Sequence, residues 1–345
     1  MVKRAITVRP VLYDDHAPAA LLLTRQFARQ QHASPVPLYT RNLSEIAELV
    51  RHQCLHHAPL VAVNAQGAIR GYVLPDLWTL ANHSLLRAFL TARNGIACAL
   101  TLPDPQDKDA DEVADMLLSA LSHYWQKLGA TGDLIRWPSG DRWLEPVLKA
   151  HGFLIDSICA FYPPVPLAIE QKASWYTIRP VLPADEEAVV ALFKEELVFQ
   201  LELGLFARVN TEILAAFRTK LVRSFSATQE DAPLVLVAET AGRIIAMAEC
   251  TIIQVYADDE PGFTIPGSYG CIDNVCVGAQ ARGQGIGRVL VKMAMQLLRP
   301  KAQNGYLLWY SADNPRAAHF WSRMGFNQQW TTYQRLRREP DPPHS

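Results

Sequence analysis

Residues 275–288 read Val-Cys-Val-Gly-Ala-Gln-Ala-Arg-Gly-Gln-Gly-Ile-Gly-Arg, so Gly283, Gly285 and Gly287 alternate where a β-rich run gives way to an apolar helical stripe. Backbone N–H groups gathered at a helix N-terminus carry partial positive charge, and glycine lets an anion approach the backbone closely. The loop therefore has the makings of a cradle for phosphate oxygens. A dinucleotide fingerprint needs Gly or Ala where Arg288 stands, and a P-loop needs a Gly-Lys-Ser/Thr run that is missing; neither nucleotide motif fits. A second patterned stretch begins at Asn314 and carries Ala317, Phe320, Trp321, Gly325 and Phe326. Asn314 followed by Pro315 is a good helix start whatever else it does, because Asn accepts from first-turn amides and Pro suits the first helical position.

Together the two stretches resemble the GNAT family of acetyl-CoA-dependent N-acetyltransferases. The family's loop pattern (Q/R)xxGx(G/A) is matched by Arg282, Gly285 and Gly287, and its later pattern by Asn314, Ala317, Phe320, Trp321, Gly325 and Phe326. The resemblance implies acetyl-CoA as co-substrate, its pyrophosphate on the amides of Arg282, Gly283, Gln284, Gly285, Ile286, Gly287 and Arg288. It also implies pantetheine along Val275, Cys276 and Val277, where two parallel strands splay, with Asn314, Ala317, Phe320 and Trp321 in cofactor contact. Trp321 departs from the pattern: the family usually has there a tyrosine that protonates the departing thiolate, and an indole N–H is no practical acid. Tyr310, Ser311, His319, Tyr333 and water stand as substitutes, with Tyr310 taken as the candidate.

Acylating an amine of pKa about 8 to 10 also calls for a proton acceptor. Glu249 and Asp273 lie inside otherwise apolar strands that the resemblance turns toward the cleft, and each is read either as the base or as a strand residue facing solvent at a sheet end. Glu249 is favoured, because the family often uses a carboxylate on the hairpin beside the cofactor strand. Glu195, Glu196 and Glu202 read as a solvated helical face, with lining of the acceptor side as the other reading.

The elements that must position these groups occur twice. Residues 6–12, 58–63 and 151–153 are echoed in the same order by 176–182, 232–237 and 324–326, at a nearly constant separation of about 170–174 residues. A period this long is a duplicated domain, since solenoid repeats run at roughly 20 to 50 residues. In the second copy, apolar spacing and turn residues predict strands at 177–179, 234–238, 244–253, 269–277, 306–311 and 331–336. They predict helices at 184–199, 211–225, 288–298 and 315–324, the third with a buried stripe of Leu290, Met293, Ala294 and Leu297. The expected fold is α/β (α+β): two tandem GNAT-like domains, each a mixed, mostly antiparallel sheet flanked by helices. The expected limits are 1–165 for a degenerate domain, 166–175 for a proline-rich linker, 176–337 for the acetyltransferase domain and 338–345 for a flexible tail.

The first copy keeps its fold signals and loses its cofactor signals. Its turn at 103–113 has no glycine and carries five carboxylates, Asp104, Asp107, Asp109, Asp111 and Glu112, where phosphates would have to sit. Asp141 replaces the motif asparagine, Leu144 the alanine and Leu148 the aromatic residue. No CoA is expected to bind there, and the half reads as a support that can shape the acceptor cleft.

With 33 basic against 34 acidic residues, the 345-residue chain has no net electrostatic pull toward nucleic acid or an anionic membrane. Its six cysteines form no CxxC pair, so neither a disulfide framework nor a metal site is signalled. The N-terminus lacks the apolar stretch of a signal peptide, and the expected location is the cytoplasm. The expected activity is direct acetyl transfer to a primary amine of a small molecule, by a monomer or homodimer. The alternatives are acetyl-CoA binding without turnover and acetylation of a protein or peptide amine.

Overall fold

The computed structural model describes residues 6–166, 175–225, 231–259 and 262–337. The expected linker, apart from its end residues 166 and 175, and the tail at 338–345 lie outside the described residues. The first copy runs β1 (Ile6–Pro10), α1 (His16–Ala33), α2 (Leu43–His56), β2 (Leu60–Asn64), β3 (Ile69–Thr79), β4 (Arg93–Thr101), α3 (Ala110–Lys127), β5 (Gly132–Pro138), α4 (Glu145–Ala150) and β6 (Leu154–Tyr162). The second repeats this order with β7 (Thr177–Pro180), α5 (Glu186–Glu202), α6 (Thr211–Arg223), β8 (Leu234–Thr240), β9 (Arg243–Val255), β10 (Gly267–Val277), α7 (Ile286–Leu298), β11 (Tyr306–Ser311), α8 (Pro315–Met324) and β12 (Asn327–Leu336).

Local chemistry explains several boundaries. Asn210 and Asn314 cap α6 and α8 by accepting from the amides of Ile213 and Ala317, and Gly325 ends α8 in the left-handed region at φ 92°. Because α7 begins at Ile286, its buried arc runs through Ile286, Leu290, Val291, Ala294, Met295 and Leu298. This corrects the expected stripe: Leu290 and Ala294 are buried, but Leu297 faces solvent. Starting from Ile286, steps of four reach Leu290, Ala294 and Leu298, and Leu297 falls off that face.

The two half-sheets are one sheet of twelve strands, ordered β1-β2-β3-β4-β5-β12-β6-β11-β10-β9-β8-β7. The closing strands are exchanged. β12, from the second copy, pairs with β5 of the first, and β6 pairs with β11 of the second, while β6 and β12 pair with each other at the centre. Arg335 and Arg337 at the end of β12 both grip Asp133 of β5, whose side chain is fully buried, at 2.6 and 2.8 Å. Among the described residues only β4–β5 and β10–β11 are parallel, and each ladder stops early, at Ile96↔Leu134 and at Ile272↔Leu308.

Helices α7 and α8 pack one face of the second half through Leu290, Ala294, Trp321 and Met324. On the other face, α5 and α6 bury Phe193 and Phe217, whose rings stack at 4.0 Å, against Val237 and Met247. Ala88 of the first half belongs to that same cluster, so the halves share core as well as sheet.

Candidate active site

Gly283 and Gly285 take φ of +77° and +80°, and a Cβ on either would meet nothing within 4 Å. Both glycines are thus required by the turn, and the space over them is clear. Gly285 caps α7 without any side-chain bond, and among the described residues the amides of Ile286 and Gly287 have no acceptor. An anion on this turn would satisfy them, so the residues present fit a phosphate group. The other side of the loop is pinned: Arg282 Nε donates to Val277 O at 2.8 Å, its Nη2 reaches Glu195 Oε1 at 3.1 Å, and Glu195 accepts from Ala279 N at 2.9 Å. Arg282 and Arg316 both lie over the ring of Phe199. Glu195, read from sequence as a solvated helical residue, is an anchor of the loop. Glu196 is half-buried and its carboxyl is raised by burial, whereas Glu202 is exposed.

Beyond Ile272 and Leu308, β10 leaves β11, so Val275, Cys276 and Val277 pair with β9 alone. Asp273 is the extra residue of a bulge between Ile272 and Asn274. The bulge turns its carboxylate toward Thr251 Oγ1, which donates at 2.9 Å, and Cys271 Sγ, at 3.2 Å. Lys220 of α6 binds both strand carboxylates, with Nζ 2.6 Å from Glu249 Oε1 and 3.2 Å from Asp273 Oδ2. Asn274 Nδ2 donates to the other oxygen of Glu249. Burial works against the charge of Lys220, but Asp273 and Glu249 together hold it above the ordinary lysine range. Burial raises Glu249 against the pull of Lys220. Glu249 is 1% exposed with both oxygens engaged, and Asp273 is the carboxylate of the pair that reaches the adjoining cavity. Lys220 was missed in the sequence because an exposed-looking lysine on an amphipathic helix carries no signal of what it will face.

A cavity of about 1010 Å³ opens over the sheet where β10 and β11 separate, with Asp273, Asn274, Trp309, Tyr310 and Ser311 on its wall. The first copy supplies part of the enclosure through Leu86, Phe89 and Leu90, facing Gln200, Leu205 and Phe206 of the second. Arg208 ties these two walls together, donating through Nη1 to the carbonyls of Leu90 at 2.9 Å and Arg87 at 3.2 Å. Tyr310 accepts at its hydroxyl from Gln328 Nε2 at 3.0 Å, and burial raises its pKa. Its hydroxyl therefore stays protonated at neutral pH and can donate. Tyr333 is removed from the set of substitute acids: β12 carries it into the first half's core, where burial pushes it up to about 12. His319 is exposed on α8, and Trp321 is packed edge-on against Phe320 and Phe326 within the core. Asn314 caps α8 through Ala317 N at 3.1 Å.

Residues 202–326 match the family model described as the Acetyltransferase (GNAT) family. The chain carries a GNAT domain. No curated protein gives a significant match. Among solved structures, a GCN5-related N-acetyltransferase from Sphaerobacter thermophilus is 14% identical, with a TM-score of 0.54 over 100% of both chains. A GCN5-related glucosamine N-acetyltransferase region of a fungal multi-domain GH3 β-N-acetylglucosaminidase is 15% identical, with a TM-score of 0.51 over 96% of this chain and 38% of that one. A tandem GNAT protein from the clavulanic acid biosynthesis pathway is 12% identical, with a TM-score of 0.45 over 96% of this chain and 98% of that one. At such identities the first two likenesses speak for the fold.

Outside the GNAT domain, the first half seals the corresponding place. Gln26 of α1 donates to Leu100 O and accepts from Leu102 N, both at 2.8 Å, so a side chain occupies the strand edge that the splay of β4 from β5 would free. The acidic turn is folded onto Arg70, which reaches Asp109 at 2.6 Å and Asp107 at 2.7 Å. Asp141 is held by Arg29 at 3.0 Å, although burial raises its pKa. The matching cavity, beside Gln26 and Leu100, measures about 50 Å³. No helix of the described residues is long and apolar enough to cross a membrane.

Proposed function

We propose that the protein transfers an acetyl group from acetyl-CoA directly to a primary amine of a small molecule held in the central cavity. One observation carries this reading: the freed edge of β10, which begins beside the glycine turn, ends at Asp273 on the wall of a 1010 Å³ cavity. Donor and acceptor would then meet where the strands part. A space floored by the sheet and flanked by segments from both halves suits a small molecule better than a folded protein surface.

When bound, acetyl-CoA supplies an activated acyl carbon. The glycine turn, with the amides of Ile286 and Gly287, would hold its phosphates, and Val275 to Val277 would align the pantetheine. Asp273, bound by Lys220, Thr251 and Cys271, would attract the acceptor's ammonium group, with Glu249 fixing Lys220 from behind. Tyr310 would donate a proton to the departing thiolate. Preorganised groups of this kind act without reorganising during the reaction.

A second reading, acetyl-CoA binding without turnover, is favoured by the burial of Trp321 where the family keeps its acid. Initial rates of thiol release with a panel of amines separate the two; glucosamine belongs in the panel because the fungal neighbour is described as a glucosamine N-acetyltransferase region. Amine-dependent release supports transfer. Tight acetyl-CoA binding with no release from any amine overturns it.

A further inference from the structure

The repeat that aligns His151, Gly152 and Phe153 with Met324, Gly325 and Phe326 also aligns Asp156 with Gln329. Each is the extra residue of a bulge. β6 passes from Ser157, opposite Thr332, to Ile155, opposite Tyr333, and β12 passes from Gln328, opposite Ala160, to Trp330, opposite Cys159. The bulge side chains have different surroundings. Gln329 is 2% exposed and spent on the protein, accepting from Thr264 Oγ1 at 3.2 Å and donating to Pro37 O at 3.4 Å. Asp156 lines the large cavity.

Strand exchange brings Asp156 there. β6 belongs to the first copy by sequence but pairs with β11, with Ser157 opposite Ser311 and Ile158 opposite Tyr310. Asp156 therefore stands one residue beyond the point where β11 ends and β10 has already turned away. Among the described residues it makes no ion pair, and its hydrogen bond is to Ser157. A carboxylate set into a cavity wall without an ion pair is costly, and the repeat-related amide shows that packing does not require an acid at this bulge.

We propose that Asp156, a residue of the half that has lost its own cofactor site, is the base that takes the proton from the acceptor's ammonium group. The inference rests on the acetyl-transfer reading. Asp156 accepts one proton from the ammonium, leaving a neutral amine. The amine nitrogen bonds to the thioester carbon, the C–S bond breaks, the second nitrogen proton passes to the thiolate through Tyr310 or water, and Asp156 returns its proton to solvent. Asp273 and Glu249 are less available to an acceptor, because Lys220 occupies both and Asn274 takes the other oxygen of Glu249. Burial pushes Asp156 up to about 6, where a group is mostly ionised at neutral pH yet holds a proton well. The other titratable groups on the cavity wall are Arg136, Asp259, Cys271, Asp273, Tyr310 and Asp313.

The test uses the full chain, wild type and Asp156→Asn, with acetyl-CoA and glucosamine, ethanolamine or putrescine as acceptor. The expected result is a fall in kcat/KM for the amine of roughly 10² to 10⁴ in Asp156→Asn, with loss of the acid limb near pH 6. The calorimetric Kd for acetyl-CoA should stay unchanged, and Asp156→Glu should restore part of the rate and the limb. A rate within about threefold of wild type, or a wild-type profile without the limb, overturns the proposal alone. A wild-type chain that releases no thiol with any of these amines overturns the acetyl-transfer reading and the proposal with it.

Discussion

Lys220 Nζ lies 2.6 Å from Glu249 Oε1, so helix α6 delivers an ammonium to a carboxylate that is 1% exposed. The same ammonium reaches Asp273 at 3.2 Å. Lys220 thereby bridges two neighbouring carboxyl groups, one buried and one at the cavity wall. Removing it as Lys220→Met should destabilise the fold by about 3 to 5 kcal/mol, because both carboxylates lose their cation. Glu249→Gln leaves Lys220 paired with Asp273 and should cost about 1 to 2 kcal/mol. Urea unfolding of the two variants checks the order; a milder loss in Lys220→Met would contradict it.

Asp156 offers a pH test that needs no substrate. Its folded pKa is raised to about 6 from 3.8 by burial, so the folded state holds this proton more tightly than the unfolded chain. The contribution is fully present below the lower value and is lost as pH rises through the higher one. Unfolding free energies measured between pH 4 and pH 7 should therefore move against wild type relative to Asp156→Asn across about that interval. A constant difference between the two proteins would show that Asp156 is not held in a desolvating wall.

Calorimetric titration should give one acetyl-CoA per chain. Gln26 occupies the backbone groups of Leu100 and Leu102 in the first half, and Asp107 and Asp109 are committed to Arg70 where a phosphate would have to sit. Stoichiometry near two would mean that neither obstacle holds in solution.

Gly285→Asp should weaken acetyl-CoA binding at least 100-fold, an order-of-magnitude expectation for a charge placed in an anion cradle. Strain must be separated from charge, because Gly285 has φ +80°. Gly67 is the internal control: its φ is +81°, a Cβ there likewise meets nothing within 4 Å, and it lies in a hairpin turn of the other half. Gly67→Asp should show a similar fall in melting temperature and no change in affinity. Equal affinity in both variants would remove the phosphates from this turn.

The order of strands and helices, the duplication and the glycine turn at the head of α7 were legible because each is written in neighbouring residues: apolar spacing, an Asn cap, glycines where φ must be positive. The repeat likewise told which half had lost its glycines. What only the tertiary structure decided involves partners far apart in the chain. Sequence order assigns Tyr333 to the second half and Asp156 to the first, yet the exchange of β6 and β12 buries Tyr333 in the first half's core and sets Asp156 on the cavity wall. Lys220 has no local mark of its role either; it acquires one when α6 packs across β9 and β10 and carries an ammonium to Glu249 and Asp273. A sequence specifies which groups a strand or helix carries and on which of its faces, but burial and charge neutralisation depend on what the opposing element brings, and that is set by packing.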